Sequence, residues 1–170
     1  KKDIFLCGNQ VSSALYLNKG DNQFEDITQK AGVVTNSWCT GVSVVDINND
    51  GYDDLYVCVY NNNSSSHNSN LLFVNQRNNT FKELAKDYGL AFSGASSQAV
   101  FFDYDKDGDL DMYLANYLLN ASYSANFLFA KNNSGTAPAN DKLFRNDGDS
   151  AKAGHPVFTD VSLAAGIKED

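Results

Sequence analysis

Short apolar runs recur along the chain between polar segments rich in Asn, Asp and Gly, a rhythm that predicts strands and turns. Residues 41–47 (GVSVVDI) and 54–60 (DLYVCVY) flank an acidic loop as one predicted hairpin. Residues 71–75 and 80–85 make a second hairpin around Gln76-Arg77-Asn78-Asn79. Helical periodicity is weak throughout; the segment LAKDYGL (84–90) holds one turn at most.

The pattern repeats. Leu15-Tyr16-Leu17-Asn18 returns 57 positions later as Leu72-Phe73-Val74-Asn75. Phe24, opening FEDI, returns as Phe81, opening FKEL, and Gly32 returns as Gly89. The acidic stretch from Asp46 to Gly51 returns at the same offset as Asp103 to Gly108. A third copy of the first motif stands at Leu143-Phe144-Arg145-Asn146, followed by Phe158-Thr159-Asp160-Val161 and Gly166. Four short strands per repeat of this length is the arithmetic of a β-propeller blade, so the expected class is all-β, with blades of four antiparallel strands. Asp3-Ile4-Phe5-Leu6-Cys7 aligns with Asp54-Leu55-Tyr56-Val57-Cys58. The expected organisation is therefore an incomplete blade over 1–37, a complete blade over 38–93 and a second over 94–170 carrying an insert at 118–140. Because a closed propeller needs at least about four blades, the expectation is a part of a larger propeller.

Composition narrows the partners. Thirteen Lys and Arg against 21 Asp and Glu give a net charge of −8, which excludes nucleic acid as a default, since phosphate binding rests on clustered cations. No apolar run reaches the ~18 residues of a membrane-spanning helix. Asn occurs 21 times, in keeping with many tight turns. Three cysteines, with Cys7 and Cys58 at equivalent places in neighbouring repeats, argue for free, half-buried thiols rather than a disulfide framework.

The acidic loops carry the chemistry. Oxygen ligands at positions 1, 3, 5 and 9, a backbone carbonyl at 7 and Gly at 6 suit Ca²⁺, which takes six to eight hard oxygens in a flexible cage. The first site would use Asp46, Asn48, Asp50, the Tyr52 carbonyl and Asp54; the second Asp103, Asp105, Asp107, the Asp109 carbonyl and Asp111. A third, incomplete site would include Asp3. An EF-hand fails twice: Val57 and Leu114 stand where its bidentate Glu belongs, and the flanks read as strands. Mg²⁺ demands stricter octahedral geometry, and Zn²⁺ lacks Cys and His pairs. The second loop, richer in carboxylate, is expected to bind more tightly.

DINNDGYDDLYV and DYDKDGDLDMYL resemble the calcium loops of integrin-type FG-GAP (VCBS) repeats. LYLNKGDNQFEDITQKAG and LFRNDG…FTDVSLAAG are similar to repeats of bacterial proteins related to cartilage acidic protein and UnbV. That resemblance implies propellers of about seven blades, in secreted or surface-anchored proteins, often lipoproteins. It implies adhesion or binding roles and no agreed catalytic residues.

Up-and-down strands put the acidic loops on one face and the inserts 61–69 and 118–140, with the connections 29–40 and 87–97, on the other. That second face is the expected binding surface, and Tyr123, Phe127 and Phe129 in the longer insert would suit a sugar ring or pack the loop onto its blade. The stretch 61–69 reads as a linker, His67 and His155 as exposed, Trp38 as packed between blades, and Phe101-Phe102 with Leu55-Tyr56-Val57 as sheet core. Sequons stand at Asn62, Asn63, Asn78, Asn120 and Asn132. Three functions compete: a non-catalytic, calcium-stabilised module at the cell surface binding polysaccharide or a surface protein; a structural scaffold; and part of a polysaccharide lyase or hydrolase. The last would need an acid pair, and Asp87 and Asp141 form none by sequence.

Overall fold

The computed structural model describes residues 1–60, 69–117, 134–137, 139–149 and 151–168. These form three antiparallel sheets whose strands lie in chain order. The first sheet holds β1 (Ile4–Leu6), β2 (Ala14–Gly20) and β3 (Gln23–Asp26), followed by a one-turn helix α1 (Thr28–Ala31). The second holds β4 (Cys39–Val45), β5 (Asp54–Val59), β6 (Leu71–Asn75) and β7 (Phe81–Glu83). The third holds β8 (Ser96–Phe102), β9 (Asp111–Asn116), β10 (Lys142–Asn146) and β11 (Phe158–Asp160). The all-β class and the blade-like four-stranded sheets are as expected.

The core is not inside a sheet but between sheets. All six residues of β5 are buried, because both its faces are covered. Leu55 and Val57 face one cluster with Leu15, Ile27, Val33 and Phe73, which seals the first sheet to the second. Tyr56 and Cys58 face the other, with Met112, Leu114, Phe144 and Phe158, which seals the second to the third. A continuous apolar run in place of alternation is the signature of a strand buried on both sides. In β9 only Met112 and Leu114 face a cluster, while Tyr113, Ala115 and Asn116 are half-buried.

The first strands of the second and third sheets lie side by side. Thr40 Oγ1 donates to the Ser96 carbonyl at 2.7 Å, Ser43 Oγ to the Ala99 carbonyl, and Gln98 Nε2 to Ser43 Oγ at 2.9 Å. A Cβ on Gly41 would lie 2.4 Å from the Ser97 carbonyl oxygen, so glycine sets how closely these strands approach. Gly89 does the same further out: its φ is +77°, and a Cβ there would meet the Phe158 carbonyl at 2.5 Å.

A latch recurs at the entry to the third strand of each complete sheet. Asn70, fully buried, accepts the Val59 N–H at 2.8 Å and donates to Tyr56 Oη at 3.0 Å and Ser96 Oγ at 2.9 Å. In the third sheet Asp141 accepts the Asn116 N–H at 2.7 Å and the Tyr113 hydroxyl at 2.7 Å. Asp141, free by sequence, is thus committed to holding two strands together.

Several expectations shift. The first strand of the second sheet runs 39–45 rather than 41–47, because the Asp46 carboxylate takes the N–H groups of Asp50 and Gly51 and turns the chain there. The second strand of that hairpin closes at Val59, and the last strand covers 81–83 rather than 80–85. The helical turn assigned by its hydrogen bonds is Thr28–Ala31, the equivalent of the turn at 85–88 in the next repeat. Phe101 packs on the core, but Phe102, on the other face of β8, is 40% exposed. Trp38 is 47% exposed and lies against Tyr60 of its own sheet. His155 is half-buried, stacked on Tyr88 at 4.3 Å. All three cysteines are free, with Cys39 and Cys58 buried and only Cys7 half-buried. The segment 61–68, with His67, and the aromatic residues Tyr123, Phe127 and Phe129 lie outside the described residues, as do the sequons other than Asn78.

Candidate metal centre

Each acidic loop joins the first strand of a sheet to the second, and its backbone is wound around its first aspartate. In the first loop Asp46 Oδ1 accepts the Asp50 N–H at 2.9 Å and Oδ2 the Gly51 N–H at 2.8 Å. In the second, Asp103 Oδ1 accepts the Lys106 N–H at 2.6 Å and Oδ2 the Gly108 N–H at 3.2 Å. Gly51 and Gly108 have φ of +87° and +98°, with nothing near the place of a Cβ, so backbone conformation and not space demands glycine at position 6. Position 5 then accepts the N–H of position 7: Asp50 from Tyr52 at 3.0 Å, Asp107 from Asp109 at 3.1 Å. Asn48 Oδ1 also accepts the Asp50 N–H, at 3.2 Å.

The ninth position does more than close a cage. Asp54, fully buried, accepts the Ile47 N–H at 3.1 Å with one oxygen and the Asn75 N–H at 2.8 Å with the other. Asp111 accepts Tyr104 N–H at 3.1 Å and Asn146 N–H at 2.9 Å. Asp3 accepts the Asn18 N–H at 2.8 Å. Those three asparagines are the last residues of the LYLN, LFVN and LFRN motifs. Each returns a bond: Asn75 Nδ2 to the Asp53 carbonyl at 3.2 Å, Asn146 Nδ2 to Leu110 at 3.2 Å, Asn18 Nδ2 to Lys2 at 2.9 Å. The repeat motif therefore encodes an Asp–Asn clasp between the acidic loop and the third strand. Sequence reasoning missed it, because the Asp and the Asn stand 15, 21 and 35 positions apart in the three copies and only the recurrence of both motifs in the same order pointed to it.

Oxygen atoms of Asp103, Asp105 and Asp111 lie within 4.8 Å of one another, the single such group of carboxylate, thiol or imidazole ligands among the described residues. These are positions 1, 3 and 9 of the second loop. In the first loop the same positions are Asp46, Asn48 and Asp54, one carboxylate fewer. Asp109 was expected to offer only its carbonyl, yet its Oδ1 is buried without a hydrogen-bond partner. Burial, then the neighbouring Asp107, push the Asp109 carboxyl up to about 6. Two ionised carboxylates share no proton, so an orphaned anionic oxygen beside a three-aspartate group is a donor set that suits a hard cation. Burial also raises Asp54 to about 6, against the backbone N–H groups that hold it ionised. No Cys or His stands among the loop residues, so the donor chemistry fits Ca²⁺ and not Zn²⁺.

Charge compensation differs between the loops. Arg77, in the turn between β6 and β7, bonds Asp50 Oδ2 through Nε at 3.2 Å and Nη2 at 3.1 Å. Among the described residues no ion pair reaches a carboxylate of the second loop; Arg145 instead binds Asp147 at 2.7 Å. At the opposite end of the sheets Trp38, Tyr60 and Tyr117 form a row, with ring centroids 5.9 and 5.7 Å apart. Trp38 and Tyr117 are 47% and 41% exposed.

The FG-GAP-like repeat model matches two consecutive stretches of the chain, residues 1–57 and 58–114. No curated protein matches the chain.

Proposed function

The chain belongs to the FG-GAP-like repeat family, and on that footing we propose that it is a non-catalytic, calcium-stabilised β-propeller module of a secreted or cell-surface protein. The observation that carries the reading is the second acidic loop, where Asp103, Asp105 and Asp111 converge beside the orphaned Asp109 oxygen. Asp103, Asp105, Asp107 and Asp111 with the Asp109 carbonyl would hold one ion. Asp46, Asn48, Asp50 and Asp54 with the Tyr52 carbonyl would hold a second. When bound, calcium supplies the positive charge that lets these carboxylates crowd together. Asp3, with one oxygen on Asn18, keeps its clasp role and offers a third, partial site.

The partner we propose is a polysaccharide or a surface protein, met by the face opposite the acidic loops. The row Trp38, Tyr60 and Tyr117 lies there and offers aromatic faces partly open to solvent. Extracellular calcium modules work at dissociation constants of about 10⁻⁴–10⁻³ M, which favours a place outside the cell, with or without a lipid anchor. Ile4 and Leu6 on the first sheet and Val100 and Phe102 on the third are 40% or more exposed, as surfaces that further blades would cover. Within the family, the LYLN…FED and LFRN…FTD motifs support placement beside the bacterial proteins related to cartilage acidic protein and UnbV.

The test is retention of the chain, calcium-loaded and chelated, on a panel of immobilised polysaccharides, scored also for chain cleavage. Retention that vanishes on chelation is the expected result. Cleavage would overturn the non-catalytic reading.

A further inference from the structure

Arg77 is the last residue to be expected near a cation site, yet it is built into one. It sits at φ +63° in the turn that follows β6, positioned by its own N–H, which donates to Asn75 Oδ1 at 2.8 Å. Asn75 is in turn held by Asp54 of the same acidic loop. The clasp therefore delivers the guanidinium to the loop mouth. There Nε and Nη2 both converge on one oxygen, Asp50 Oδ2, and the guanidinium carbon lies 5.7 Å from the Tyr52 ring centroid. Asn48 Nδ2 faces the same oxygen at 3.4 Å. Asp50 Oδ2 thus collects three donors from positive or polar groups, while Oδ1 takes the Tyr52 N–H at 3.0 Å. The Asp50 side chain is 12% exposed against 60% for Arg77, so the arginine reaches in from solvent to a sheltered carboxylate.

We propose that Arg77 is a tethered counter-ion of the first loop, holding Asp50 when no divalent cation is bound and competing with that cation for it. The inference rests on the calcium reading of the loops. Its consequence is a division of labour. The first loop stays folded with little calcium and fills late, whereas in the second loop no arginine bonds a carboxylate, Arg145 acting on Asp105 only through space, and that loop depends more on the ion. The contrast has a structural cause. The third-sheet turn after Asn146 presents the N–H of Gly148 where the second sheet presents that of Arg77, and Arg145 is taken by Asp147.

A point charge several ångströms from a divalent ion in water is worth about a factor of ten in affinity at low salt, less as screening rises. The experiment is a calcium titration of the full chain and of the R77Q and R77K variants, followed by amide NMR. Gly51 reports the first loop and Gly108 the second. The expected result is a Gly51 midpoint about tenfold lower in R77Q than in the unmodified chain, and unchanged within about twofold in R77K. The Gly108 midpoint stays fixed in all three. Chelated, R77Q melts below the unmodified chain; with excess calcium that gap closes. A Gly51 midpoint that is unchanged or higher in R77Q overturns the proposal while leaving the calcium reading intact. If neither glycine responds to calcium in any of the three proteins, the calcium reading fails and the proposal falls with it.

Discussion

Asp54 accepts the backbone N–H of Asn75 at 2.8 Å, and 57 residues further on Asp111 does the same for Asn146 at 2.9 Å. Each aspartate spends its other oxygen on the second residue of the acidic loop. Both partners belong to the chain, so the bond ties loop and third strand together directly. Replacing Asp54 by Ala strands two donors, one on the buried Ile47. The expected loss is about 2–4 kcal/mol in urea unfolding in chelator, and more in calcium. Asp111→Ala should cost a similar amount. Losses below about 0.5 kcal/mol in chelator would sink the clasp as a structural device and leave these residues as ligands only.

The same residues show what the sequence made legible. The spacing of apolar runs and the 57-residue offset pointed to the antiparallel strands of the described residues, because strands buried on both sides must read as unbroken apolar runs such as Leu55–Val59. The loops were legible because glycine at positive φ and aspartate at fixed intervals leave few other backbones. What stayed hidden depends on contacts between residues distant in the chain. Asp141 looked like a free acid because nothing local ties it to Tyr113 and Asn116. Asp109 looked like a carbonyl donor because the burial of its side chain is set by neighbouring elements. Arg77 lies 27 positions from Asp50, and only the folded turn brings them together.

Asn70 and Asp141 perform one task with different charges, and the difference is testable by exchange. Asn70 is fully buried, with Tyr56, Val59 and Ser96 as partners, whereas Asp141 is half-buried and accepts from Tyr113 and Asn116. Asn70→Asp forces a carboxylate into a buried seam and removes the donor to Tyr56 and Ser96. It should cost about 2–4 kcal/mol, against about 1 kcal/mol for Asp141→Asn, which keeps an acceptor. Equal costs in parallel denaturant titrations would contradict the burial argument.

Alkaline pH should weaken the fold through its thiols. Burial, then nearby Cys39, raises Cys7 to about 11; burial, then Cys7 and Cys39, raises Cys58 to about 12. Below about pH 8.5 the thiols are neutral both folded and unfolded, and they contribute nothing. From about pH 9 to 11 the unfolded chain releases protons that the folded chain keeps, so stability falls as pH rises, by up to about 1.4 kcal/mol per unit for each thiol. Urea midpoints measured between pH 8 and 10.5 should fall less steeply for Cys58→Ala than for the unmodified chain. Parallel curves would show that Cys58 titrates normally. The buried thiols should also resist alkylation at pH 8 until urea is added.

The orphaned Asp109 oxygen separates an ion-binding loop from a merely acidic turn. Asp107 lies next to it, and Asp103, Asp105 and Asp111 gather in the same loop. Asp109→Asn removes one charge from that crowd and leaves the backbone carbonyl assigned as the ligand in place. Without calcium the variant should be more stable, by about 0.5–1 kcal/mol, because like-charge repulsion falls. With calcium at a hundredfold excess over its dissociation constant, the unmodified chain gains about 2.7 kcal/mol from that site. The variant has less charge to offer the ion and so gains less. The two proteins should therefore draw level, or reverse their order, in saturating calcium. Thermal unfolding of both, in chelator and in calcium, decides it. A stabilisation by Asp109→Asn that is identical in the two conditions would mean that the loop's carboxylates repel one another without ever meeting a cation.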